Sequence, residues 1–127
     1  MQQNEWNVLI IEDEPDSLEL IQTILNHQHI ATHGVRTAEE ALEILGDVTP
    51  TLLIIDLALP EMDGWGFLQH LQANPSLDGV PKVAITAFHT PLLAAKAINA
   101  GFDAFIPKPI DATSFVQDLD AIVSQKS

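Results

Sequence analysis

The sequence predicts an α/β fold, in which an open, doubly wound parallel sheet of five strands carries helices on both faces. Three continuous aliphatic runs, at residues 8–11, 52–55 and 83–85, are typical of parallel strands that are buried on both sides. Segments with a helical spacing of apolar residues separate these runs, and the 127 residues contain no internal repeat. This alternation favours five βα units in one open sheet.

Two weaker strands are predicted at residues 30–35 and 104–107. The first helix follows the first strand, and one face of it is marked by Leu18, Ile21 and Leu25. The second helix has the clearest start, because Thr37 and Glu40 have the spacing of a capping box. Its apolar face comprises Ala38, Ala41, Leu42 and Leu45.

The remaining three helices are indicated by residues that begin or end helices. The third helix follows Asp63, with Phe67, Leu68 and Leu71 facing inward. The fourth begins at Thr90 and Pro91 and ends near Gly101, a residue type that is common just beyond a helix. The fifth is predicted to start from a cap at Asp111 and to bury Phe115, Leu119 and Ile122.

Composition excludes several classes of protein. Eighteen acidic residues against five basic ones give a formal charge of −13, which repels nucleic acids and anionic membranes. No apolar run approaches the roughly 20 residues of a membrane span, and the polar start MQQNEWN does not resemble a signal peptide. The absence of cysteine excludes disulfides and thiolate metal sites, so we expect a cytoplasmic protein.

Most residues with reactive side chains stand where a predicted strand ends. In an open α/β sheet, ligands bind beyond the carboxyl ends of the strands. These ends carry three carboxylates, a hydroxyl and an ammonium group, those of Glu12, Asp13, Asp56, Thr86 and Lys108. We therefore expect these side chains to meet at one edge of the sheet.

The predicted carboxylate cluster calls for a cation, because neighbouring carboxylates repel and raise one another's pKa. Hard oxygen ligands suit Mg²⁺, which proteins hold through one or two carboxylates together with phosphate oxygens. An aspartate beside a metal ion and a lysine is well placed to attack a phosphoryl group, since both cations neutralise charge on the transferring oxygens. Asp56, which ends the run LLIID, is therefore predicted to be phosphorylated.

Four short motifs carry a resemblance to a known family. The segments IIEDEP, IIDLALPEMDG, ITAF and IPKP, in this order and at these spacings, resemble the receiver domain of response regulators in two-component systems. The resemblance covers essentially the whole chain, which we interpret as a single receiver domain over residues 1–127. It implies a flavodoxin-like (CheY-like) sheet with the strand order 2-1-3-4-5.

The resemblance also implies a role for each matching residue. Asp56 would accept a phosphoryl group from a histidine kinase or a histidine phosphotransfer protein, in a reaction that needs Mg²⁺ or Mn²⁺. Asp13 and Asp56 would bind the metal directly, Glu12 through water, and Ala58 through its backbone carbonyl. Lys108 would pair with the phosphoryl oxygens.

Further implications concern the switch and its output. The peptide bond before Pro109 is expected to be cis, Thr86 would move towards the phosphoryl group, and Phe105 stands at the switch-aromatic position. Phosphorylation would shift a pre-existing equilibrium at the surface of the fourth helix, fifth strand and fifth helix, where a downstream protein binds. The chain would be a monomer or a weak dimer through that face, and no enzyme beyond its own phosphorylation and dephosphorylation.

Several positions depart from the commonest pattern of the family, among them Leu59, where methionine is frequent. Ala58 and Phe88 stand at positions that help to set the lifetime of the phosphoryl group in the family; here both are apolar and offer nothing to orient an attacking water. We therefore expect slow self-dephosphorylation. Phe105 stands where tyrosine is frequent, so no phenol hydroxyl holds the ring at the surface. We expect an inward ring and a weaker coupling to the fourth helix.

Each of these residues also has an ordinary structural explanation. Asp56 alone would suit a turn, and the acidic pair after the first strand would suit a helix cap beside Pro15. Thr86 would suit a strand, Lys108 a solvated strand end, and Phe105 the core. The histidines at positions 27, 29 and 33 have a faint metal-like spacing but are predicted to be solvated, and the two tryptophans are predicted to pack.

Other functional classes fit less well. A phosphatase of the haloacid dehalogenase type needs a second aspartate two residues after the nucleophile, where Ala58 stands. A flavodoxin-like cofactor carrier needs a glycine- and hydroxyl-rich phosphate loop, where this chain has the acidic EDEPDS. Two interpretations closer to the receiver stay open: a degenerate receiver that acts as a constitutive interaction module, and a receiver excised from a hybrid histidine kinase.

Overall fold

The computed structural model describes residues 2–88 and 90–126 and contains one parallel sheet with helices on both faces. The strands are β1 (Asn7–Ile11), β2 (Ala31–Val35), β3 (Leu52–Asp56), β4 (Lys82–Thr86) and β5 (Ala104–Pro107). The helices are α1 (Pro15–His27), α2 (Ala38–Ile44), α3 (Gly64–Gln72), α4 (Pro91–Ala100) and α5 (Phe115–Lys126). The strand order is β2-β1-β3-β4-β5, which confirms the predicted fold class and topology.

The three central strands, β1, β3 and β4, are buried on both faces, which explains the continuous aliphatic runs in the sequence. Alternate side chains of β1 and β3 enter two separate cores. The core shared with α2, α3 and α4 receives Leu9, Ile11, Leu53 and Ile55. The core shared with α1 and α5 receives Val8, Ile10, Leu52 and Ile54. Full burial of a leucine or isoleucine contributes about 1.5–3 kcal/mol. Packing on both faces therefore holds these strands, and the residues at their ends, in place.

Three helices begin at the residues that the sequence indicated. The hydroxyl of Thr37 accepts a hydrogen bond from the backbone N–H of Glu40 at 3.0 Å and lies 3.2 Å from its carboxylate. Asp63 accepts from the backbone of Gly66, and Thr90 caps α4 in the same way through the N–H of Leu93. The predicted starts of α2, α3 and α4 are confirmed.

The regular part of α5 begins at Phe115, about one turn after the predicted cap at Asp111. The carboxylate of Asp111 accepts hydrogen bonds from the backbone N–H of Thr113 at 2.9 Å and from its hydroxyl at 2.6 Å. These bonds lower the pKa of Asp111 and close a local turn, so the regular helix begins only at Phe115. The backbone N–H of Phe115 also donates to the carbonyl of Asp111 at 3.0 Å, so the aspartate caps the turn that leads into α5.

The acidic pair after β1 does not cap α1, because the N-cap position is occupied by Glu14 and its side chain makes no cap hydrogen bond. The predicted start of β2 at Ile30 is one residue early. The backbone N–H of Ile30 still donates to Leu25 and closes the end of α1, so the strand begins at Ala31.

Both tryptophans pack against the fold, as predicted. Trp6 is buried in the core shared with α1 and α5. Trp65 meets Phe102 edge to face at 5.9 Å, and the ammonium of Lys96 lies 5.0 Å from the centre of its ring. Within the described part of the chain, none of the helices combines the length and the apolar character that crossing a membrane requires.

Candidate functional site

The carboxyl ends of the central strands bring three carboxylates together. Glu12 follows β1 directly and Asp56 is the last residue of β3, and these two strands are neighbours with Ile11 paired to Ile55. Oxygen atoms from Glu12, Asp13 and Asp56 all lie within 4.8 Å of one another. The strand-end prediction therefore places these three side chains correctly.

Lys108 joins the carboxylates from the end of β5. Its ammonium contacts Oε1 of Glu12 and lies 3.3 Å from Oδ2 of Asp56. The side chain of Glu12 is fully buried, and that of Lys108 is only 13% exposed. Since little water reaches these groups, their charges act on one another strongly.

Burial raises the pKa of Glu12 from 4.5 to about 8. The neighbouring Asp56 raises it as well, while Lys108 acts in the opposite direction. Burial alone would lower the pKa of Lys108, but its bonds to the two carboxylates outweigh this effect, and the pKa of the ammonium is raised. Without a further cation, the protonated form of Glu12 therefore persists to a higher pH than it would in water.

The residues present fit a hard divalent cation. Oε2 of Glu12 is buried and has no hydrogen-bond partner among the described residues, so one strong acceptor is left over. Carboxylate oxygens are the donors that Mg²⁺ and Mn²⁺ prefer. Among the described residues, this is the one group of side chains with metal-ligand spacing; the three histidines do not form another, and His27 and His29 are exposed.

The two oxygens of Asp56 have different partners. Oδ2 faces Lys108, whereas Oδ1 accepts a hydrogen bond of 2.9 Å from the backbone N–H of Ala58. Ala58 therefore lies beside the carboxylate, and its own side chain is exposed. The peptide bond between Lys108 and Pro109 is cis.

The remaining predicted residues lie around this cluster and are not among its members. Thr86 ends β4 and is buried, and its hydroxyl accepts a hydrogen bond of 3.1 Å from the backbone N–H of Phe88. The ring of Phe88 is 71% exposed. Phe105 lies on β5 opposite Ala84 and is partly buried against the core shared with α2, α3 and α4.

Sequence reasoning missed Arg36, which lies at the same edge of the sheet. Its guanidinium donates through Nε and Nη2 to the backbone carbonyl of Asp13, at 3.3 and 3.1 Å. A signal was present, because this is the only arginine of the chain and it directly follows the predicted second strand.

Gly64 was also missed. A Cβ atom at this position would lie 2.6 Å from the carbonyl oxygen of Asp56 and 2.8 Å from Cα of Leu57. Glycine is thus required where α3 begins, because the helix passes directly over the backbone of Asp56. The motif MDG in the sequence contained this glycine, but its spatial reason depends on the tertiary fold.

The chain is similar to known proteins along most of its length. The chain is 27% identical over 113 residues to the polar-differentiation response regulator DivK of Brucella ovis, covering 89% of this chain and 92% of that protein. It is also 30% identical to the signal receiver domain of a signal transduction histidine kinase from Syntrophus aciditrophicus. That structure superposes with a TM-score of 0.83, covering 94% of this chain and 91% of the other.

A third comparison concerns the fold. A CheY-like response regulator receiver domain protein from Methanospirillum hungatei superposes with a TM-score of 0.83, at 24% identity and with 95% of each chain covered. The family model described as response regulator receiver domain matches residues 8–120. Since this match spans most of the sequence, the chain belongs to the response regulator receiver domain family.

Proposed function

We propose that this receiver domain is a phosphorylation switch whose phosphoacceptor is Asp56. The observation that supports this function best is the meeting of Asp56 with Lys108 and the acidic pair Glu12 and Asp13 at one edge of the sheet. A nucleophilic carboxylate, a lysine and a metal-binding set are the parts that phosphoryl transfer to aspartate requires.

In the proposed reaction, a carboxylate oxygen of Asp56 attacks the phosphorus of a phosphohistidine on a kinase or phosphotransfer protein. An O–P bond forms, the P–N bond to the donor imidazole breaks, and its electron pair stays on that nitrogen. The backbone N–H of Ala58 holds Oδ1 of the nucleophile in place. The ammonium of Lys108 lies 3.3 Å from the other oxygen, Oδ2, and would pair with the negative charge of the phosphoryl group after transfer.

Glu12, Asp13 and Asp56 would hold Mg²⁺ or Mn²⁺, with the backbone carbonyl of Ala58 beside them. The ion, when bound, would neutralise charge on the oxygens of the transferring phosphoryl group. Oε2 of Glu12 is buried and has no hydrogen-bond partner in the described part of the chain, which supports this assignment, because a metal or one of its waters would satisfy it.

The switch would then pass through Thr86. Its hydroxyl is occupied by the backbone N–H of Phe88 in the unphosphorylated protein. If that hydroxyl turned towards a phosphoryl oxygen, its hydrogen bond with the backbone N–H of Phe88 would break. The segment that joins β4 to α4 would then lose this restraint. Phe105 lies on the adjacent strand β5, so the change would be felt on the surface of α4, β5 and α5.

The partners would be a histidine kinase or a phosphotransfer protein on one side and a downstream protein on the other. The charge of −13 disfavours direct contact with nucleic acid, and we place the domain in the cytoplasm. It would act as a switch that catalyses only its own phosphorylation and dephosphorylation.

The proposal is tested by intact mass spectrometry after incubation with acetyl phosphate, with and without Mg²⁺. We expect one added phosphoryl group in the wild type only when Mg²⁺ is present, and none in Asp56→Asn. Asp63→Asn is the matched control, because it removes a nearby carboxylate but keeps a good helix cap. A folded wild type that gains no mass would favour the interaction-module function instead.

A further inference from the structure

Arg36 lies at this edge of the sheet, directly after β2, and the proposed reaction does not use it. Two of its guanidinium nitrogens converge on a single acceptor, the backbone carbonyl of Asp13. Arginine offers five N–H donors in a rigid fork, and two of them link the exposed side chain of Arg36 to the main chain of the loop after β1.

The backbone that carries Arg36 is itself held at both sides. Val35 is the last residue of β2, pairs with Ile11, and accepts a hydrogen bond of 3.0 Å from the backbone N–H of Glu12. Thr37 caps α2 through its hydroxyl. Arg36 thus lies between a strand end and a helix cap and can act as a firm support for the loop that follows β1.

We propose that Arg36 is a positioning residue for metal binding. By holding the main chain of Asp13, it keeps that carboxylate beside those of Glu12 and Asp56. Within the proposed function of the site, on which this inference rests, Arg36 prepares the ligands before the cation arrives. It touches neither the metal nor the phosphoryl group.

Charge and positioning predict opposite effects of removing Arg36. By Coulomb's law, loss of a positive charge near a cation site strengthens the binding of Mg²⁺. Loss of a positioning bond weakens it, because the loop then has to be ordered when the metal binds. Tighter binding of Mg²⁺ after removal of Arg36 would therefore indicate a charge effect, and weaker binding would indicate a positioning effect.

The experiment is an isothermal titration of the unphosphorylated protein with MgCl₂. For Arg36→Gln we expect the dissociation constant to rise roughly 3- to 10-fold, less than the 10- to 100-fold typical when a bond to the ligand group itself is lost. Arg36→Lys keeps the charge but offers a single donor group, so its dissociation constant should lie between those of wild type and Arg36→Gln. Lys126→Gln removes an equal charge far from the site, beside Asp103, and should bind within twofold of wild type.

A second readout separates positioning from a general loss of structure. With acetyl phosphate, the Mg²⁺ concentration for half-maximal phosphorylation should rise in Arg36→Gln, while the rate at saturating Mg²⁺ stays within twofold of wild type. An Arg36→Gln protein that binds Mg²⁺ as tightly as wild type, or more tightly, would overturn the inference and leave the proposed function intact. A wild type that neither binds Mg²⁺ nor accepts phosphate would overturn both.

Discussion

Nζ of Lys108 lies 3.3 Å from Oδ2 of Asp56, although 52 positions separate the two residues in the sequence. The same ammonium contacts Glu12, so the lysine already serves as a cation for two of the three clustered carboxylates. Lys108 and a divalent metal would therefore compete for the same carboxylates. This competition gives the site measurable properties before any phosphoryl group is present.

Lys108→Gln is expected to lower the free energy of unfolding of the metal-free protein by about 1–3 kcal/mol, because charged hydrogen bonds are lost. At the same time Mg²⁺ should bind several-fold more tightly, since a competing positive charge is removed. Chemical denaturation and calorimetric titration with MgCl₂ at pH 8 measure the two effects. Equal or weaker Mg²⁺ binding in this variant would show that Lys108 does not compete for the carboxylates.

Glu12 should make Mg²⁺ binding depend on pH. Its pKa is raised to about 8 by burial, so around neutral pH the metal has to displace a proton. We expect affinity to increase, and proton release to decrease, as the pH rises from about 6 to 9. Calorimetry in two buffers with different ionisation enthalpies counts the protons, and Glu12→Gln should abolish most of the release.

The raised pKa of Glu12 also determines how the stability of the metal-free protein changes with pH. The pKa of Glu12 is higher in the folded state than its ordinary value of 4.5, so the folded state binds the proton more tightly. The stability that Glu12 contributes is fully present below pH 4.5 and is lost as the pH rises through about 8. The melting temperature of wild type should therefore fall relative to Glu12→Gln over this window.

The sequence predicted this site because its main residues follow strong local signals. Asp56 and Glu12 end aliphatic runs that only a doubly covered sheet explains, and strand ends share one edge whatever the details of packing. Arg36 follows β2, a partly exposed edge strand whose pattern is weak, and its role depends on one backbone carbonyl. The contact of Gly64 with the backbone of Asp56 is likewise tertiary, and no local pattern encodes it.

Slow loss of the phosphoryl group is expected from the two apolar flanking residues. Ala58 and Phe88 are both exposed and present no polar side chain that would orient water towards Asp56. The double variant Ala58→Asn with Phe88→Glu should lose phosphate roughly 3- to 10-fold faster, well below the 10²–10⁴ of an evolved general base. Time-resolved intact mass after removal of acetyl phosphate measures the decay, and an unchanged or slower decay would contradict the explanation.

Phosphorylation should move the ring of Phe105 only a little. The ring is already partly buried against the core beside α3 and α4, and it has no hydroxyl to satisfy at the surface. In Phe105→Tyr the phenol needs a partner in each state, so its ring should respond more strongly. Aromatic NMR signals recorded with and without beryllium fluoride, an inert phosphoryl mimic, measure how far the ring moves in wild type and in Phe105→Tyr. A full swing of the ring in wild type would show that it is strongly coupled to phosphorylation and would contradict the prediction.

Gly64→Ala is expected to damage both the fold and the reaction. The added methyl group would lie 2.6 Å from the carbonyl oxygen of Asp56 and 2.8 Å from Cα of Leu57, and backbone atoms cannot move aside cheaply. We expect a loss of about 3 kcal/mol in the free energy of unfolding, the upper part of the usual range for overpacking. Phosphorylation by acetyl phosphate should slow, because the backbone of the nucleophile has to shift.

Gly66→Ala is the matched control for this effect, because it adds the same methyl group to the same helix. Its nearest neighbour would be Cγ of Met62 at 3.3 Å, the middle of a flexible side chain. Alanine is the better helix former, so this variant should gain about 0.5 kcal/mol and keep the wild-type rate of phosphorylation. Equal stability of the two variants by chemical denaturation would mean that the close approach of α3 to Asp56 does not constrain the site.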